Sequence, residues 1–134
     1  MLNIREALVI IVAVAVLDGI WISANQPLYN RTLSAVQGAP MRVNPLGAVL
    51  SYVFIFLAFA FVVLPRLRGT KGTLMDCVRE GGLVGLCIYG IYNFTNLATL
   101  GPNYTLGVAL LDTAWGTVLF TAVAYALVIL GRRP

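Results

Sequence analysis

Two carboxylates stand where the chain is otherwise apolar. Asp18 follows Val14-Ala15-Val16-Leu17, and Asp112 follows Val108-Ala109-Leu110-Leu111. An ionisable side chain inside a membrane-length apolar stretch is costly and marks a site by default. With helices rising about 1.5 Å per residue, Asp18 lies roughly 9 Å and Asp112 roughly 7 Å below the same membrane surface. The two therefore belong to one layer. Carboxylates paired in a low-dielectric environment cannot both ionise cheaply, so the pair suits one shared proton or a hard cation held through oxygen.

A third stretch adds to that layer. Tyr89, Tyr92, Asn93 and Asn96 are spaced by three and four residues and share a helix face. On the same side, one to two turns earlier, come Gly81, Gly82 and Gly85, small residues that let another helix approach closely. Asp112, Trp115, Gly116 and Leu119 form a matching stripe, with Thr113 and Thr117 beside it. Trp115 lies too deep for an interface anchor and reads as packing or pocket lining. The candidate ligand- or ion-binding set is thus Asp18, Trp21, Tyr89, Tyr92, Asn93, Asn96, Asp112 and Trp115. Two arrangements stay open: a buried structural network in which these groups satisfy one another, or a small hydrated cleft lined by Asp18, Asn93, Asn96 and Asp112. Leu17-Asp18-x-x-Trp21 and Leu111-Asp112-x-x-Trp115 also match each other in helices of opposite direction. Three loosely spaced residues match by chance fairly often, whereas inverted repeats extend over whole helices.

The elements that must position these residues are membrane helices. Of 134 residues, 60% are hydrophobic and 10% charged, with a mean hydropathy of +0.90. A soluble domain carries about 25% charged residues, so a soluble enzyme and a disordered chain are both excluded. The absence of His removes imidazole metal sites and His general bases. Roughly 20 mostly apolar residues cross a bilayer, and four stretches qualify: 7–24, 46–64, 81–99 and 107–130. The runs are continuous rather than alternating, which argues against a β-barrel. Pro27 is expected to follow the first helix, Pro45 to open the second and Pro65 to end it. Gly101-Pro102-Asn103 makes a turn so tight that the last two helices must be antiparallel neighbours. The fold class expected is all-α, an antiparallel up-down four-helix bundle forming a single transmembrane domain. Ser23-Ala24 loosely resembles a signal cleavage site, but Asp18 and Trp21 argue for a retained helix.

Arg5, Arg66, Arg68, Lys71, Arg79, Arg132 and Arg133 fall on one side of this bundle, and Arg31 and Arg42 on the other. The positive-inside rule then places both termini in the cytoplasm. Cys77 would face the reducing side and Cys87 lies within a span, so no disulfide is expected.

The run Tyr89-Gly90-Ile91-Tyr92-Asn93-Phe94-Thr95-Asn96-Leu97-Ala98-Thr99, followed by Leu111-Asp112-x-x-Trp115-Gly116-Thr117, resembles the bacterial membrane proteins of domain-of-unknown-function family 2177. Asp18 and Trp21 with Pro27 and Tyr29 look like the same family's opening. The resemblance covers essentially the whole chain and implies a bacterial inner-membrane, multi-pass protein with four helices. The family motif commonly reads Tyr-Asp-x-Thr-Asn, whereas this chain has Asn93 at the acidic position, one carboxylate fewer. The family carries no assigned activity.

Three functions follow in order. The first is binding or helping to transport a small ligand, proton, cation or lipid through an outward-facing polar pocket. The second is a structural or assembly subunit of a larger membrane complex. The third, an enzyme acting on lipids, is the weakest, because a carboxylate pair can serve as acid and base but no nucleophile stands beside it. Membrane lipids are the expected partners, with a membrane protein or a second copy as further ones. No nucleic acid and no cofactor are expected, and the identity of any metal is unknown.

Overall fold

The structure, a computed structural model, describes residues 2–131. It is helical throughout, with no strand among the described residues. Five helices follow one another: α1, Ile4–Ala24; α2, Gln26–Gln37; α3, Pro45–Arg68; α4, residues 74–99; and α5, Leu106–Gly131. Of these, α1, α3 and α5 are long and apolar enough to cross a membrane. α4 falls outside that set; Asn93 and Asn96 dilute its apolar content. Arg132 and Arg133, counted above for orientation, lie outside the described residues.

Local chemistry sets the boundaries. α1 opens on a capping box in which Glu6 N–H donates to Asn3 Oδ1 at 2.8 Å and Asn3 N–H to Glu6 Oε2 at 2.9 Å. α4 begins at Leu74, seven residues before the apolar stretch. The reason is a second box: Thr73 N–H donates to Asp76 Oδ2 at 2.8 Å, and Asp76 N–H to Thr73 Oγ1 at 3.2 Å. Those bonds from Thr73 hold the Asp76 carboxyl below the usual carboxylate range.

One proline behaves as expected and one does not. Pro27 follows the first helix, which ends at Ala24, and sits in the first turn of α2, where a missing N–H costs nothing. The segment after α1 is therefore a helix that the apolar pattern does not show, ended by Gly38 in the left-handed region at φ 65°. Pro65 does not end α3, which runs on to Arg68. The turn before it, Phe59–Val63, is π-wound, so Leu64 N–H reaches back five residues to Phe59 O. The widened turn gives the ring room.

The core is concentrated toward the end where Arg68 grips Glu6, with Nη2 at 2.7 Å from Oε2 and 2.9 Å from Oε1. Ile10, Phe59, Val63, Leu119, Phe120 and Leu127 are buried there, and Phe59 stacks on Phe120 at 4.4 Å between ring centroids. α4 and α5 pack almost backbone to backbone. A Cβ on Gly85 would stand 2.2 Å from Gly116 O, and one on Gly81 2.7 Å from Phe120 O. The small-residue stripe read from the sequence is this contact. By contrast, the first fourteen residues of α3, Pro45–Ala58, include no fully buried residue, only Ile55, Phe56 and Ala58 resting partly against the core.

Candidate functional site

Beyond this dry contact, toward the α2 end, α1, α3, α4 and α5 each extend a polar side chain inward. Gly116 leaves the space that the Tyr89 ring fills, since a Cβ there would meet the ring at 2.1 Å. Tyr89 also lies edge-on to Phe120, with centroids 6.4 Å apart. One turn on, Asn93 is wholly buried. Its Nδ2 donates to Tyr89 O at 2.9 Å and to Asp112 Oδ2 at 2.8 Å, and its Oδ1 accepts from the Tyr104 hydroxyl. Every hydrogen-bonding capacity of this amide except one lone pair is used, so its orientation is fixed.

The second oxygen of Asp112 accepts from the Tyr29 hydroxyl on α2 at 2.6 Å. That hydroxyl in turn accepts from Trp21 Nε1 at 2.9 Å. Asp18, buried on α1, is held in a similar way. Its Oδ2 accepts from the Tyr52 hydroxyl of α3 at 2.6 Å, and its Oδ1 from Trp115 Nε1 at 2.9 Å. The two halves meet at the tryptophans, whose rings stack face to face at 4.5 Å with an interplanar angle of 1°.

One continuous array results, running from Tyr52 through Asp18, Trp115, Trp21, Tyr29, Asp112 and Asn93 to Tyr104. The twin Asp-x-x-Trp motifs acquire a geometric meaning in it. The Trp of each motif serves the carboxylate of the other, directly for Asp18 and through Tyr29 for Asp112.

Of the residues singled out in the sequence, the array joins Asp18, Trp21, Asn93, Asp112 and Trp115, with Tyr89 supplying a backbone acceptor. Asn96 is half-buried beside Tyr104. Tyr92 is 57% exposed and turns off the shared face. Three tyrosines enter that the apolar pattern does not mark: Tyr29, Tyr52 and Tyr104. For Tyr52 the signal was a hydroxyl set in the otherwise apolar run from Val49 to Leu57, broken only by Ser51.

The array is made of neutral donors. Each carboxylate oxygen takes one hydrogen bond, from a phenol, an indole or an amide, and the ion pairs among the described residues lie elsewhere, at Arg66–Glu80 and Arg68–Glu6. A carboxylate offers about four lone-pair positions, so half of the acceptor capacity remains open at both Asp18 and Asp112. Thr113, the residue after Asp112, holds the one buried side-chain polar atom without a partner among the described residues. Such orphans in a native fold ask for a ligand, ion or water. Two cavities flank the layer. One of about 270 Å³ opens between α1 and α3, lined by Ile10, Val14, Ile55, Phe56 and Tyr52 among others. The other, of about 500 Å³, lies between α2 and the turn into α5. Neither is lined by Asp18 or Asp112 themselves. No group of three or more metal-ligating side chains occurs among the described residues.

A family model described as a predicted membrane protein, DUF2177, matches residues 4–129. No curated protein and no solved structure matches the chain.

Proposed function

The chain belongs to the DUF2177 family of predicted membrane proteins, and from that premise we propose that it binds a small polar ligand together with a proton at the Asp18–Asp112 layer. In this reading α1, α3, α4 and α5 cross the bacterial inner membrane as a four-helix bundle. Both termini are cytoplasmic and the layer faces outward. The observation that carries the proposal is the pair of carboxylates held by neutral donors alone. With no cation among the described residues to balance them in a low-dielectric setting, a proton, a hard cation or a cationic ligand is the natural counter-charge. The orphaned Thr113 hydroxyl adds a donor to the same neighbourhood. A thermal-shift panel of cations, amines and hydroxylated compounds across pH tests the reading. Wild-type protein should show a ligand-dependent shift whose size varies with pH, and Asp18→Asn and Asp112→Asn should fold but lose it. A flat response across a broad panel contradicts it.

A second reading has one observation in its favour: no residue of 45–58 in α3 is fully buried, and Leu46, Val49, Val53 and Phe54 form an exposed apolar face, while Ile55, Phe56 and Ala58 rest partly against the core. That exposed face is free to pack on another membrane protein or a second copy, as an assembly subunit would. Native purification yielding a lone monomer argues against that reading.

A further inference from the structure

We infer that the cavity of about 500 Å³ between α2 and the turn into α5 is a phosphate-binding site, taking a phosphate group from a lipid headgroup or from free phosphate. It lies apart from the carboxylate layer and does not depend on the function proposed for that layer. Its polar lining is Arg31 and Thr32 on α2 with Asn103 and Thr105 at the turn; Leu28 and Val108 supply an apolar side.

Four features favour a phosphate. Arg31 brings a guanidinium that makes no ion pair or hydrogen bond among the described residues, and such a fork matches two phosphate oxygens. Thr32 is only 7% exposed, yet its hydroxyl has no protein partner among the described residues. That hydroxyl lines the cavity and is not itself closed off from it, so it is placed to donate to a ligand oxygen there. Thr105 caps α5, accepting from Val108 N–H at 3.3 Å. The opening turn of α5, with amides lacking intrahelical acceptors, therefore borders the same space. Finally, Asn103 Nδ2 donates to Ala35 O at 3.1 Å, which ties the turn to α2 and holds the two walls together. The apolar side suits the carbon skeleton of a phosphate ester.

The test uses the full chain purified in detergent. One arm titrates inorganic phosphate by calorimetry. The other counts phosphatidylglycerol retained in native mass spectra after reconstitution and re-extraction. Saturable one-to-one binding in either arm is expected, the arm that responds identifying the source. Arg31→Gln should weaken binding roughly tenfold and Thr32→Val about fivefold, with Thr32→Ser restoring it. Arg42→Gln, which removes a nearby charge that does not line the cavity, should leave binding unchanged. An unchanged helical circular-dichroism spectrum and melting temperature in all four variants certify the fold. No saturable binding in either arm, or equal losses for Arg31→Gln and Arg42→Gln, overturns the inference.

Discussion

Along α4 and α5 the character of the contact changes halfway. From Gly81 to Gly85 the two backbones touch, glycine against carbonyl, with no hydrogen-bonding side chain on α4. From Tyr89 onward they stand apart, and the space is filled by Asn93, Asp112 and the hydroxyls that reach them. The first region fixes distance by steric exclusion, which has no alternative state. The second is held by hydrogen bonds between neutral donors and carboxylates, which can be remade when a proton or ligand arrives.

That contrast can be broken most severely at Gly85. Gly85→Ala puts a methyl group 2.2 Å from Gly116 O, and backbone cannot yield as a side chain does. We expect a loss of about 3 kcal/mol in reversible unfolding. Gly90, on the polar half of the same helix, is the control, because its Cβ would meet Thr113 Cγ2 at an ordinary 3.8 Å. Gly90→Ala should be neutral or stabilising by up to about 1 kcal/mol. Equal losses at both positions would erase the distinction.

Asn93→Asp, which restores the acidic residue common in the family motif, probes the polar half. It replaces the amide donor facing Asp112 with a second carboxyl, so the folded state must retain a proton there that the unfolded chain releases. More protons bound in the folded state means that stability falls as pH rises. The variant should approach wild-type stability in acid and lose about 2 kcal/mol by neutral pH, read as a melting temperature measured across pH. A pH-independent loss would show that Asn93 matters for packing alone.

Tyr52→Phe should have the smallest effect. It removes a single hydrogen bond, from a residue on the half-helix that has no fully buried residue, and membrane polar contacts average about 0.6 kcal/mol. A loss several times larger in a chemical-denaturation series would mean that the Tyr52–Asp18 bond anchors α3.

Much of this plan is legible in the sequence, for identifiable reasons. The glycine stripe and the Asn93–Asp112 level follow from helical rise and spacing, which a bilayer makes almost obligatory. The capping boxes, Asn3 to Glu6 and Thr73 to Asp76, carry the true starts of α1 and α4 in their own four residues, although hydropathy alone places both starts later. α2 is not legible as an apolar run, because Asn30, Arg31, Thr32 and Ser34 interrupt it and Pro27 reads equally as a stop or a start. The tyrosines of the array come from distant elements, Tyr29 and Asp112 being 83 residues apart. No local pattern encodes such pairings. The stacking of Trp21 on Trp115 is likewise a product of tertiary approach, though the twin motifs hold its ingredients.

Trp21 and Trp115 are the chain's two tryptophans, and both donate within the carboxylate array. Intrinsic fluorescence therefore reports on this layer alone. The most direct test is a pH titration of that fluorescence in reconstituted wild-type protein, beside Asp112→Asn and Asp18→Asn. A single reversible transition in the wild type, shifted or abolished in each variant, is the result that uptake of a proton by the layer predicts. An emission spectrum unchanged across pH in all three proteins would contradict it.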